Sequence, residues 1–377
     1  MKSKGLCITF LLPGPGHIPV GGLKVAYEYA NGLSRLGHAV VVVHPASLYI
    51  DTPLKRKPRL MAGYIYRGMT GKYRPNSWFP LDSSVRMRWT PSLAARYVPD
   101  ADVVIATAWQ TAEWASQYPA SKGRQFSLIQ HLETWNGHLD RMYRTWTAPL
   151  EKIVIARWLE RIALDLGQKA THIPNGLDFT KFYVQTPITE RDPNSVAMLF
   201  HDYDWKGSAD GVRALCIVRE QVPDLRATLF GVPPRPPSLP GWIHYHSCPP
   251  QDILRGIYNS VAIFVAPSWA EGWPLPPAEA MMCGAALVGT DIGGHQEYAI
   301  HEETALLSPA KDPAGLAVNL KRLIDDPELR LRIARAGNAF IQQFTWDRAV
   351  RSMEQLLTSH LSDRDIATTK SPSSALR

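Results

Sequence analysis

Continuous apolar runs alternate with segments of helical period along most of the chain. GLCITFLL, near the N-terminus, has the unbroken apolar pattern of a strand buried on both faces of a parallel sheet. PGPGHIPVGG follows as a glycine- and proline-rich loop. LKVAYEYANGLSRLG then places Val25, Tyr29, Leu33 and Leu36 at helical spacing, with Gly37 where a helix would end. AVVVV is a second buried strand, so the segment predicts a right-handed βαβ unit. Strands are predicted again at ADVVIATA (101–108), QFSLIQ (125–130), EKIVIA (151–156) and ATHIPNG (170–176), with a helix at RWLERIALDLG (157–167). KFYVQTPITERDPN has no periodicity and reads as a linker.

A second α/β series starts at SVAMLF (195–200), followed by the loop HDYDWKG. SADGVRALCIVREQ and QDILRGIYNS predict helices, and LRATLFG (225–231), WIHYHS (242–247), VAIFVAPS (261–268) and AALVGT (285–290) predict strands. PAEAMMCG, DPAGLAVNLKRLI, PELRLRIARAGNAFIQQF and WDRAVRSMEQLLTSHL read as helices, and the polar tail from Ser362 reads as disordered. The fold class is α/β, with two doubly wound parallel sheets. Such sheets bind ligands outside the carboxyl ends of their strands, in the cleft between two such domains.

The length of 377 residues fits two domains, and 45% hydrophobic with 20% charged residues excludes global disorder. The four cysteines include no CxxC pair, which excludes a zinc ribbon or a thioredoxin-type motif and fits a reducing compartment. Charge is uneven. Residues 51–90 carry Lys55, Arg56, Lys57, Arg59, Arg67, Lys72, Arg74, Arg86 and Arg88 against Asp51 and Asp82, so the whole net charge of +7 lies there. Such a field attracts phosphates, anionic sugars or anionic lipid. The longest apolar runs, Val261–Ala266 and Ala39–Val43, are far short of the roughly 20 residues that span a bilayer. The N-terminus imitates a signal peptide, but its apolar run ends in PGPGH and reads better as a first strand.

The strongest chemical signal is PSWAEGWPLPPAEAMMCG. Glu271 lies in the loop after a strand and Glu279 on the helix that follows, with seven residues between them. Both carboxylates can face one site and accept from hydroxyl pairs. The backbone N–H groups of Gly272, Trp273 and Leu275 lie near the helix N-terminus, a place for a diphosphate. The first loop fails the dinucleotide fingerprint, since Pro19 stands at the third glycine position and His44, not an acid, follows the second strand. Asp202-Tyr-Asp204 is a formal DxD, but Asp100-Ala-Asp102 and Asp363-Arg-Asp365 fit as well, so it reads as loop polarity and not a metal site. His244 and His246 share one strand face without a third ligand, and read as structural. The first domain holds Trp78, Trp89, Trp109, Trp114, Trp135, Trp146 and Trp158, whose rings suit sugar stacking or a membrane interface, although most read as core.

The carboxylate segment resembles that of the retaining GT-B glycosyltransferases often called group 1. THIPNGLD, VAIFVAPSWAEGWPLPPAEAMMCGAALVGTDIGGHQEYA and DPELRLRIARAGNAFIQQFTW extend the likeness over most of the C-terminal half. The resemblance implies a GT-B fold. Its expected parts are an acceptor-binding Rossmann-like domain over 1–180, a donor domain over 190–345, a helix at 346–360 crossing back, and a disordered tail over 362–377. It implies that Glu279 holds the ribose hydroxyls of the nucleotide, that Glu271 faces the donor sugar and that Lys206 contacts the diphosphate. His201 stands where many members have Arg and is assigned a phosphate contact, with a charge that depends on pH. Gly21 and Gly22, taken as a loop ahead of the first helix, match the loop approaching the donor phosphate. His131 matches the histidine near the transferred sugar, and Glu133 is close enough to share its site. The implied activity transfers a sugar from a nucleotide-diphosphate donor to a hydroxyl on a glycan or lipid-linked saccharide, with no metal and no other cofactor. The expected setting is cytoplasmic, with 51–90 in peripheral contact with an anionic membrane face. An epimerase or hydrolase of the same fold, a silent nucleotide-sugar binding module and a nucleic-acid binder are the alternatives, and the near-complete donor motif argues against the last.

Overall fold

The computed structural model describes residues 5–134 and 137–369. The chain divides into two compact units, one formed by residues up to Asn175 together with those from Trp346 onward, the other by Gly176–Thr345. The division falls a few residues before the expected boundary at 180. The stretch read as a linker is built into the second unit. Its Arg191 is buried and donates to the carbonyls of Thr186, Tyr258, Val261 and Cys283. A cation tied to backbone carbonyls anchors a segment without any apolar period, which is why the sequence pattern missed it.

The first unit contains β1 (Cys7–Leu11), α1 (Gly21–Arg35), β2 (Ala39–Ser47), α2 (Lys57–Thr70), β3 (Arg86–Ser92), β4 (Val103–Ala106), α3 (Trp109–Ala115), β5 (Arg124–Ile129), α4 (Leu139–Thr147), β6 (Glu151–Val154), α5 (Arg157–Asp165) and β7 (Ala170–His172). Its sheet is parallel, in the order β3-β2-β1-β4-β5-β6-β7. Phe10 of β1 lies in register with Val42 of β2 and Ile105 of β4, and all three are buried, as continuous apolar runs require. The pattern did not foretell α2, β3, α3 or α4. Gly21 and Gly22 are the first two residues of α1, after an extended Val20, and not a loop ahead of it. First-turn N–H groups need no partner inside the helix, so flexible residues are tolerated there.

Helix α11 (Trp346–Thr369) belongs to this unit. A Cβ on Gly32 of α1 would lie 2.4 Å from Val350, so only glycine lets the two helices approach this closely. Trp346 meets Tyr29 edge-on at 5.4 Å, and His38 Nε2 lies 3.2 Å from Glu354. The helix continues past Ser362, where a disordered tail was expected, because no Gly or Pro interrupts the chain before Pro372. Residues 370–377 lie outside the described residues.

The second unit contains β8 (Ser195–Leu199), α6 (Ser208–Gln221), β9 (Arg226–Gly231), β10 (Ile243–Ser247), α7 (Gln251–Ser260), β11 (Ile263–Ala266), α8 (Leu275–Met282), β12 (Ala286–Thr290), β13 (Ala305–Ser308), α9 (Pro313–Asp325) and α10 (Pro327–Ile341). The parallel sheet runs β10-β9-β8-β11-β12-β13, over a core that includes Val196, Leu229, Val265, Leu306, Leu320 and Ile333. Asp312 and Asp326 cap α9 and α10 by accepting from the N–H groups of Gly315 and Leu329, with Pro at the start of each helix. In each sheet the strand order reverses beside the first strand of the unit. The loops after β1 and β4, and those after β8 and β11, therefore flank the two switch points. Among the described residues, no helix is long and apolar enough to cross a membrane.

Candidate functional site

In the second unit the switch-point loops converge. The loop after β8 makes a short 3-10 turn, Asp204–Lys206, and ends on Gly207 at φ +62°. A Cβ there would lie 2.0 Å from the Pro267 carbonyl oxygen in the loop after β11, so this contact and this backbone both demand glycine. The N–H of Trp269 donates to the Trp205 carbonyl at 2.7 Å, and the Trp269 indole donates to Asp210 on α6 at 2.7 Å. These bonds bring Lys206 to Glu271. The ammonium lies 2.8 and 3.0 Å from the two carboxylate oxygens, and Ser268 donates to one of them at 2.9 Å. On the other side, a Cβ on Gly294 would lie 2.5 Å from the Glu271 carbonyl oxygen, so the loop after β12 is pressed against the Glu271 backbone.

His201, at the head of the same loop, accepts from the N–H of Tyr203 at Nδ1, 3.1 Å. Burial, and then the nearby Lys206, lower its pKa. Its proton therefore resides on Nε2, and the ring is an uncharged donor at neutral pH. That revises the expectation of a pH-dependent cation. His201, Tyr203 and Trp205 form a stack with ring centroids 4.4 Å apart at each step. His295, fully buried, donates from Nδ1 to the Thr290 carbonyl at 2.8 Å, and burial lowers its pKa as well.

Glu279 lies on the helix that follows the Glu271 loop. It is 6% exposed on α8, and Tyr258 of α7 donates to it at 3.2 Å. Burial raises the Tyr258 pKa well above its usual range, so the hydroxyl keeps the proton it donates. Gly272, Trp273 and Leu275 lead into the N-terminus of α8, as the sequence predicts. The Trp273 ring is buried. It packs edge-on against Tyr298 at 4.9 Å and Phe344 at 5.6 Å and is 5% exposed, because an apolar ring of that size gains more from the core.

In the first unit the loop after β5 ties the others together. Gln130 donates to the Gly22 carbonyl at 3.1 Å, which holds the start of α1. The N–H of Trp109, at the start of α3, donates to Glu133 at 3.2 Å. Burial pushes the Glu133 carboxyl up to about 7, the Trp109 bond pulling the other way. His131 faces Trp158 edge-on at 5.7 Å. Together with Glu133, Trp109, Ser127, Thr145 and Trp146 it lines a small recess. His44, read from the sequence as following the second strand, lies within β2, at the position where a dinucleotide site would carry an acid. It is instead a structural clamp. Its Nδ1 donates to the Gly14 carbonyl at 2.6 Å, its Nε2 faces the Tyr27 hydroxyl at 3.2 Å, and burial lowers its pKa to about 4.

Sequence reasoning missed Ser268, Asp210, Tyr258, Gln130 and Gly294. Only the glycine pair of DIGGHQE carried a signal, since adjacent glycines after a strand announce a close backbone approach. His244 and His246 are exposed on the edge strand β10. Trp135 lies outside the described residues. Among the described residues, no three His, Cys, Asp or Glu side chains gather as a metal site would require.

Residues 195–326, which contain this second-unit site, match the family model described as glycosyl transferases group 1. The chain is 32% identical over 107 residues to a D-inositol 3-phosphate glycosyltransferase of Salinispora tropica, covering 28% of this chain and 22% of that protein. It is 28% identical over 105 residues to an uncharacterized glycosyltransferase of Methanocaldococcus jannaschii, covering 28% of this chain and 30% of that one. The chain thus spans less than a third of these relatives. In overall fold it is similar to Anabaena HepE in complex with UDP-glucose, with a TM-score of 0.70 at 13% identity over 94% of this chain and 100% of that one. It is also similar to a sucrose-phosphate synthase of Thermosynechococcus elongatus, with a TM-score of 0.67 at 16% identity over 95% and 99%. The fold is GT-B, with two Rossmann-like parallel sheets.

Proposed function

We propose that this chain, which belongs to the glycosyl transferases group 1 family through residues 195–326, transfers a sugar from a nucleotide-diphosphate donor to an acceptor hydroxyl with retention at the anomeric carbon. The observation that carries this reading is the Lys206 ammonium held 2.8 Å from Glu271 where the loops after β8 and β11 meet, inside the matched segment. A fixed cation there offsets the charge that grows on the diphosphate as it leaves, with no metal. When donor binds, Lys206 turns to the diphosphate and Glu271 to hydroxyls of the sugar. Glu279, positioned by Tyr258, accepts from the ribose hydroxyls. The N–H groups of Gly272, Trp273 and Leu275 at the start of α8, and the neutral His201 donor, meet the remaining phosphate oxygens. His131 and Glu133 in the first unit serve the acceptor side, with Gly21 and Gly22 approaching the donor phosphate. The acceptor is a glycan or a lipid-linked saccharide worked on at the cytoplasmic face of a membrane, and its proton passes to the donor phosphate.

The test is a thermal-shift panel of UDP, GDP, ADP, dTDP and their sugars on wild type, Glu279→Ala and Glu279→Gln. A nucleotide at 100 times its Kd stabilises the folded state by about 2.7 kcal/mol. One nucleotide should shift the wild type and neither variant. If none shifts the wild type, the donor assignment fails. Binding without turnover in the presence of any glycan acceptor marks a silent module, and turnover without an acceptor marks an epimerase or hydrolase.

A further inference from the structure

Helix α2 has a feature that sugar transfer does not use. It spans 14 residues, and none of them is buried. Its inner side, Leu60, Gly63, Tyr64 and Arg67, is half-buried at the i, i+3, i+4, i+7 positions, and there Trp89 of β3 stacks on Tyr64 at 5.8 Å and donates to its carbonyl at 2.8 Å. One helical face therefore already has its partner. The opposite face is also apolar. Met61, Ile65 and Met69 follow one another at intervals of four residues, and are 48%, 52% and 84% exposed. Leu54, in the turn that leads into the helix, is 77% exposed. An ordinary surface helix is polar on its solvent side, so this second apolar face needs a covering.

The flanking charges indicate which. Between Leu54 and Arg74 there are seven cations, Lys55, Arg56, Lys57, Arg59, Arg67, Lys72 and Arg74, and no acidic residue. A second copy of the chain would bring two such faces together and repel. A nucleic acid would use the cations but give the Met–Ile–Met stripe nothing to bury it. An interface of anionic headgroups over acyl chains matches both parts at once.

We propose that the outward face of α2 docks this protein on an anionic lipid bilayer. Leu54, Met61, Ile65 and Met69 enter the boundary between headgroups and acyl chains, and Lys55, Arg56, Lys57 and Arg59 pair with the headgroups. The surface belongs to the first unit and shares no residue with the donor site of the second, and its occupant does not depend on which nucleotide that site takes. Vesicle co-sedimentation of the full chain tests it, with phosphatidylglycerol–phosphatidylcholine and pure phosphatidylcholine vesicles. The wild type should bind the anionic vesicles, bind them more weakly at high salt, and leave the neutral ones in solution. Met61→Ser/Ile65→Ser/Met69→Ser should weaken that binding about tenfold or more, since three side chains leave the interface. Lys55→Gln/Arg56→Gln should weaken it by about 25-fold, at about fivefold per charge removed. All the altered residues are exposed, and the nucleotide thermal shift of each variant reports an intact donor unit. Equal binding to both vesicle types, or to neither, overturns the proposal. So does undiminished binding by the triple serine variant, which would mean surface adsorption by charge alone. A wild-type dimer in light scattering that the serine variant disperses would show that a second copy covers the face, and would overturn it too.

Discussion

Each unit presents a carboxylate in a loop that follows a strand of its sheet, and the two are treated in opposite ways. In the second unit Glu271 faces the Lys206 ammonium at 2.8 and 3.0 Å and accepts from Ser268. In the first, Glu133 lies among Trp109, Met142 and Trp146, accepts from the backbone N–H of Trp109, and burial pushes its pKa up to about 7. A paired carboxylate holds a cation in place and can release it to a phosphate. A buried one holds or releases a proton near neutral pH. The first arrangement suits a diphosphate and the second a hydroxyl, which divides donor and acceptor chemistry between the units in the way proposed above.

The sharpest break of that comparison is Lys206→Ala. If the ammonium offsets charge on the leaving diphosphate, kcat for sugar transfer should fall on the order of 10²–10³-fold. Glu133→Gln should cost much less, because it keeps the oxygen that accepts from Trp109. Equal losses in a single-turnover assay would abolish the distinction between the two carboxylates.

Gly207→Ala comes next, and it acts on stability. The residue has φ +62°, and its new methyl would meet the Pro267 carbonyl oxygen at 2.0 Å. A loss of roughly 1–3 kcal/mol should follow, read as a lowered Tm, because left-handed backbone strain and a backbone clash act together. A Tm unchanged within a degree would mean that the loops after β8 and β11 are not in contact as described.

The buried carboxylate gives a pH test of comparable or smaller size. A group whose folded pKa is raised binds protons more tightly in the folded state. Its stabilisation is complete below the usual carboxylate value and is lost as pH rises through about 7. His44, lowered to about 4, runs the other way, losing its contribution as pH falls from the ordinary histidine range toward 4. The two slopes oppose each other in wild type, so the difference between wild type and Glu133→Gln isolates one of them. That variant should gain roughly 1–3 kcal/mol on wild type between pH 5 and pH 8. A difference that does not vary with pH would show that Glu133 is solvated.

The second unit was legible nearly element by element, and the first was not, for a physical reason. The central strands of the second unit, β11 and β12, are buried on both faces and show as apolar runs, and its helices show clean helical periods. β13 alone, four residues after a polar turn, went unnoticed there. In the first unit β3 is an edge strand reading RMRWTPS, whose alternating exposed charges leave no apolar run. α2 lacks a buried stripe altogether, and α3 is seven residues long. Site residues follow the same rule. Lys206, Glu271 and Glu279 were found because a long ordered motif carries them. Tyr258, Gln130 and Asp210 were not, because each acts through a contact distant in sequence, 21 residues from Tyr258 to Glu279 and 108 from Gln130 to Gly22.

The smallest expected effect separates the two glycine classes of the molecule. Gly207 and Gly294 are compelled by neighbours. Gly21 is not, since a Cβ on it would meet nothing within 4 Å and its φ is not positive. Alanine at this first position of α1 narrows the unfolded chain and suits a helix, so Gly21→Ala should leave Tm unchanged or raise stability by up to about 1 kcal/mol. Stability alone therefore gives no reason for glycine here. If the start of α1 approaches the donor phosphate, the added methyl crowds that approach, and sugar transfer should fall severalfold in a protein that is as stable as wild type or more so. If transfer is unaffected, Gly21 does no more than begin a helix. The approach from the first unit would then rest on Gly22, whose own Cβ would meet the Gln130 side chain at 3.4 Å, an ordinary contact.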